Sequence, residues 1–124
     1  DISARDNRRA GQWIYSKGQD TFAPMGPCIV TADEIPDPQT LKLDLSVNGV
    51  NKQQSSTAYM LFKVDELIAD ISKGITLEPG DIIATGTPAG VGAGRTPQEW
   101  LWPGDVVTSE IENIGRLRNP VVAA

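Results

Sequence analysis

The stretch LKLDLSVNGVNKQQSS, residues 41–56, decides the fold class. Leu41, Leu43, Leu45 and Val47 alternate with Lys42, Asp44 and Ser46, so an extended chain shows one apolar face and one polar face. Asn48-Gly49 follows at once, and both residue types tolerate the positive φ of a tight two-residue turn. Residues 50–56 therefore return as a second, more polar strand. A second hairpin is written near the end, where residues 105–111 and 116–122 flank Asn113-Ile114-Gly115. Residues 28–32 and 81–84 are short apolar runs between turn signals and read as two further strands.

The period changes once. Val64, Leu67, Ile68, Ile71 and Ile75 recur at helical spacing, with Asp65, Glu66, Asp70 and Lys73 opposite, and Gly74 marks the stop. Residues 1–12 read as a strand end passing into a helical turn, residues 13–22 as irregular, and residues 23–27 (APMGP) as a rigid bend. Two prolines in residues 33–39 (DEIPDPQ) keep that segment out of any regular element. The expected fold is mainly β with one central helix, in the α+β class.

At 124 residues the chain makes one domain at most, and such a domain buries somewhat under ~70% of its unfolded surface. A net charge of −5 argues against a nucleic-acid or anionic-membrane surface, since either calls for clustered Lys and Arg. The one basic knot, Arg5, Arg8 and Arg9, is diluted by Asp1 and Asp6. No apolar run approaches the ~20 residues of a membrane span. Cys28 is the only cysteine and sits in an apolar run, which reads as a buried, inert thiol in a reducing, cytoplasmic setting. Histidine is absent. No Ser-His-Asp or Cys-His arrangement and no imidazole zinc site can exist within this chain, so its chemistry rests on carboxylates, lysine, arginine, hydroxyls or backbone amides. The chain opens on Asp1-Ile2-Ser3 with neither initiator methionine nor signal peptide, which reads as part of a larger protein.

The densest run of glycine and proline is ATGTPAGVGAGRTPQEWLWPGD, residues 84–105. It is no P-loop, because no lysine and hydroxyl follow the glycines. Gly92 and Gly94 run into Arg95-Thr96-Pro97 rather than a helix with a third glycine, so the dinucleotide fingerprint fails as well. A surface loop and the rim of another kind of pocket remain. Thr85 and Thr87 flank Gly86, where hydroxyls and exposed amides suit an anion. Lys17 lies among Trp13, Tyr15 and Phe22, where apolar walls can shift a lysine toward neutrality or fix it as a cation. Most lysines in such stretches are simply solvated. Arg5 can clamp a carboxylate, or merely pair with Asp1 or Asp6. Glu110 and Glu112 share the i, i+2 spacing that can chelate Mg²⁺, although acids also decorate the wet face of a terminal hairpin.

Together these stretches resemble the fumarylacetoacetate hydrolase family. The likeness runs through DISARD (1–6), KGQDTFAP (17–24) with Gly26-Pro27, VTADEIPDP (30–38) and VNG (47–49), then LEPGDIIATGTPAGVG (77–92) and PGD (103–105). The resemblance implies a mixed β-sandwich roll, a homodimer, and a Mg²⁺- or Mn²⁺-dependent enzyme. Such enzymes hydrolyse, decarboxylate or isomerise small 2-oxo and 4-oxo acids, including intermediates of aromatic catabolism. It implies Asp1 as a metal ligand and Lys17 as the active-site lysine, with Arg5, Gly86 and Thr87 near the substrate's charged or oxo groups. The glycine-rich run then becomes the rim of the substrate pocket. Residues 1–124 correspond to the C-terminal portion of a single catalytic domain. The family's Glu-x-Glu metal pair and the His–Glu dyad of some hydrolases precede the aspartate matched by Asp1, and Arg8 stands where some members carry a polar amide. A catalytically incomplete remnant, acting as a dimerising or binding module, is the alternative from another class.

Overall fold

The structure, a computed structural model, describes residues 1–8 and 11–123. Its centre is a four-stranded antiparallel sheet of β1 (Lys42–Val47), β2 (Val50–Ser56), β3 (Val106–Ile111) and β4 (Gly115–Pro120), in the order β2-β1-β3-β4. The opening stretch forms β1 and β2 as read. Asn48 and Gly49 take φ of 52° and 79°, the doubly positive pair that matches the twist of the flanking strands. Asn48 does more than turn the chain. Its amide nitrogen donates to Asp105 Oδ1 at 2.8 Å and its amide oxygen accepts from the Val106 N–H at 2.9 Å, fixing where β3 begins beside β1. The second hairpin turns at Asn113 and Gly115, both at positive φ. Pro27 crosses over it closely enough that a Cβ at Gly115 would stand 3.0 Å from the proline ring.

Two α-helices accompany the sheet. The first, α1 (Ile14–Lys17), lies in the stretch read as irregular. The second, α2 (Val64–Ile71), is the periodic segment, closed at Ser72 rather than running on to Gly74. Its start is held by Glu66 Oε2, which accepts from the Lys63 N–H at 2.8 Å, and by Gln39 Oε1, which accepts from the Val64 N–H at 2.9 Å. None of its residues is buried, so it is a flanking helix and not a central one. Among the described residues no helix is long and apolar enough to cross a membrane.

Three expectations are corrected here. Residues 28–32 and 81–84 form no strand. A strand needs a neighbour to accept its N–H groups, and neither run finds one in the sheet. Cys28 is exposed, not buried. The chain exposes 9442 Å², against about 6,500 Å² for a compact monomer of this mass. It therefore buries roughly half of its unfolded surface rather than approaching ~70%. Leu41 is the one buried apolar residue among those described, and it sits where the N-terminal end of β1 meets the turn after β2. The fold is a small α+β unit with one sheet and much uncovered apolar surface.

Candidate active site

Two clusters carry the residues picked out by the sequence. The first is built on α1. Ser16, almost wholly buried, donates through Oγ to the Trp13 carbonyl at 3.1 Å, and its own carbonyl accepts from the Ala4 N–H at 2.9 Å. The Ile2 N–H donates to the Phe22 carbonyl at 2.9 Å. These two backbone bonds lay the first residues alongside 16–22 and deliver Asp1 to Lys17, Nζ to Oδ1 at 2.5 Å. Gly18 follows the helix as its cap, and a side chain has no room there: a Cβ would meet the Ile14 carbonyl oxygen at 2.7 Å. Trp13 walls the cluster, with Arg8 stacked 4.0 Å from its ring centroid and Lys17 Nζ at 5.7 Å. Desolvation by burial, and then the Arg5 guanidinium, hold the Lys17 ammonium below its ordinary range despite the Asp1 carboxylate. The structure thus brings Asp1, Arg5 and Lys17 together from two separated motifs. This is a small focus of positive charge with one carboxylate, suited to an acidic ligand.

The second cluster is the glycine-rich run, which is laced to β2. Gln53, buried in β2, donates through Nε2 to Thr87 Oγ1 at 2.9 Å and to the Pro88 carbonyl at 2.8 Å. Gly90 takes φ of 107°, and a Cβ there would collide with the Lys52 carbonyl oxygen. A Cβ at Gly92 would strike the Glu99 carbonyl. Arg95 donates from Nε to the Gly90 carbonyl at 3.1 Å and from Nη2 to the Lys52 carbonyl at 2.5 Å. Lys52 pairs with Glu99 at 2.6 Å and holds that carboxyl below its usual range. The glycines serve close backbone approach, which the sequence signalled. Gln53, Lys52, Arg95 and Glu99, which do the fastening, were missed. Only their burial or pairing across more than thirty residues marks them out, and neither shows in the periodicity of a polar strand.

The paired glutamates do not form a chelate. Glu110 binds Arg116 through two hydrogen bonds of 2.9 and 2.7 Å, and Glu112 Oε2 accepts from the Lys42 N–H at 3.0 Å. Among the described residues no three Cys, Asp or Glu side chains are grouped to hold a metal ion. Asp1 offers one carboxylate, already shared with Lys17. These residues alone do not satisfy a divalent cation, which demands about six oxygen ligands.

The described residues thus form an α+β unit that carries a cation-rich cluster and a loop fastened through its backbone. The family model described as fumarylacetoacetate (FAA) hydrolase C-terminal matches residues 1–122, and the chain belongs to that family. It is 50% identical over 125 residues to a mitochondrial oxaloacetate tautomerase of Bos taurus, covering 98% of this chain and 40% of the relative. Its fold superposes with a TM-score of 0.94 on the fumarylacetoacetate hydrolase of the psychrophile Exiguobacterium antarcticum, at 46% identity, covering 98% of this chain and 44% of that one. It is also similar to maleylpyruvate hydrolase from Sphingobium sp. SYK-6, solved in complex with manganese(II) and pyruvate. That match has a TM-score of 0.80 and 39% identity, covering 91% of this chain and 40% of the other. The chain spans well under half the length of these relatives.

Proposed function

We propose that the chain forms part of a divalent-metal-dependent enzyme acting on a small 2-oxo or 4-oxo carboxylic acid, by C–C hydrolysis, decarboxylation or isomerisation. The observation that carries this reading is the Lys17–Asp1 contact of 2.5 Å beside Arg5, in a chain whose relatives process small oxo acids. Lys17 supplies positive charge held in place by α1 and Trp13, where it can oppose negative charge developing on a substrate oxygen. Arg5 offers a planar fork for a carboxylate. Thr87 contributes a hydroxyl from the loop, and Gly86, at φ 110°, lets the backbone approach the substrate without a side chain in the way. Asp1 would give one ligand to a Mg²⁺ or Mn²⁺ ion, which would supply Lewis-acid charge to the substrate's oxygens. The remaining ligands would come from outside these 124 residues.

The uncovered surface supports two further parts of the proposal. The excess over a compact monomer is roughly 3,000 Å², whereas a standard interface covers about 800 Å² per partner. A homodimer contact accounts for part of it, and further polypeptide completing a β-sandwich roll accounts for the rest. The lone exposed thiol at Cys28 fits a reducing, cytoplasmic setting.

Steady-state kinetics of the full-length protein on a panel of oxo acids, with and without Mn²⁺, is the test. Metal-dependent turnover of at least one acid, lost in Lys17→Met, is expected. The reading of the chain as an incomplete remnant rests on the absence of a metal-ligand group among the described residues. Full-length protein that neither turns over nor binds any of the acids would favour it.

A further inference from the structure

Among the described residues of the loop cluster, Gln53 is the buried one, and its side-chain amide nitrogen is committed to the loop. It stands in β2 at 8% exposure. Its two amide hydrogens face three acceptors: Thr87 Oγ1 at 2.9 Å, the Pro88 carbonyl at 2.8 Å and, more weakly, the Ala89 carbonyl at 3.5 Å. The surrounding chemistry sets which way round the amide lies. Were it turned over, its oxygen would confront two carbonyl oxygens, and a buried acceptor facing acceptors costs the full desolvation of the groups involved.

The consequence falls on Thr87. A threonine hydroxyl carries one hydrogen and accepts through its lone pairs. Gln53 occupies one of the two lone pairs of Thr87 Oγ1 and leaves its hydrogen to be donated elsewhere, and Thr87 is an exposed residue. We propose that Gln53 is a positioning residue that turns Thr87 into an outward hydrogen-bond donor, directed at a carboxylate or oxo oxygen of the bound acid. This rests on the oxo-acid reading given above and adds to it the residue that sets the polarity of the loop. A hydroxyl polarised in this way favours an anionic oxygen over a neutral donor, because accepting from Gln53 strengthens the bond it donates.

The experiment uses the full-length protein and two probes, pyruvate and oxalate, titrated calorimetrically. Amide hydrogen exchange across residues 85–90 is followed in parallel. Thr87→Val should weaken oxalate binding by about 10- to 100-fold, the loss of one hydrogen bond to a charged group. Thr87→Ser should restore most of it. Gln53→Met should hasten exchange in the loop and weaken binding by about 10-fold. Gln53→Glu distinguishes polarity from mere packing. At neutral pH its carboxylate would accept the Thr87 proton and draw the donor inward, so binding should be weaker than in Gln53→Met. Toward pH 5 the side chain would begin to take up a proton and regain a donor, and the deficit should narrow. Combined with Thr87→Val, Gln53→Glu should weaken binding no further, because the pair acts as one unit. The inference is overturned if wild-type protein binds the probes but Gln53→Met leaves affinity and loop exchange unchanged, or if the two substitutions are fully additive. In either case the oxo-acid reading stands. Wild-type protein that binds neither probe overturns both, even if Gln53→Met loosens the loop.

Discussion

The glycine-rich run and the pair of segments at 28–32 and 81–84 all lie outside the sheet and end in opposite states. The run is long and dense in glycine and proline, whereas the two segments are short apolar stretches bounded by turn residues. The run at residues 84–105 is fastened to β2 by Gln53, Arg95 and the Lys52–Glu99 pair, and Gly90 and Gly92 lie against backbone carbonyls. The other two segments join no strand, with Ile29 95% and Ile82 69% exposed. The difference is not in propensity. A strand is a pairwise object whose hydrogen-bonding groups and apolar face must both be met by something else, and only one region has its neighbour in hand.

The sharpest attempt to break that comparison is Gly92→Ala. A Cβ there meets the Glu99 backbone rather than a flexible side chain, so the loop must leave its seat. A loss of about 3 kcal/mol or more in full-length stability is expected by denaturant titration, and an effect below about 1 kcal/mol would show the loop to be loosely held.

Lys17→Met tests the other cluster, built on α1. It keeps the stem and deletes the ammonium, and should lower kcat by about 10²–10³ with a smaller change in KM. Lys17→Arg should rescue poorly, because a planar fork does not reproduce a compact ammonium. The pH dependence has a definite sign. If the ammonium is the working form, activity is full below the Lys17 pKa and falls as pH rises through it. Burial and Arg5 hold that pKa under the ordinary 10.5, so the alkaline limb should lie below it. Asp1→Asn removes the counter-charge and should move the limb lower still, alongside a steeper metal requirement. An alkaline limb at or above the ordinary lysine value would remove Lys17 from the chemistry.

Ile82→Ser examines the unpaired region. On the exposure seen in this chain the change should be nearly neutral, within about 0.5 kcal/mol. If further polypeptide covers residues 81–84, the full-length protein should instead lose about 2 kcal/mol. We expect the larger value, and equal stability of mutant and wild type would place this surface in solvent. Gly74→Ala is the smallest effect and the control for Gly92. Nothing lies within 4 Å of a Cβ at Gly74, so the substitution should be neutral or stabilise by up to about 1 kcal/mol.

By itself the sequence determined whatever depends on neighbours along the chain. The alternation at 41–47 and the Asn48-Gly49 turn placed β1 and β2, and the helical period placed α2, because strand face, turn sign and helix face are local geometry. The motif at 17–24 and the run at 77–92 carried the family, since a motif is local by construction. The tertiary structure alone decided matters that join distant residues. It brought Asp1 onto Lys17, buried Gln53 beneath Thr87, exposed Cys28, and made Ile14–Lys17 helical where the sequence looked irregular. It also left residues 28–32 and 81–84 without strand partners, because pairing and burial depend on which surfaces are available and not on the residues that seek them.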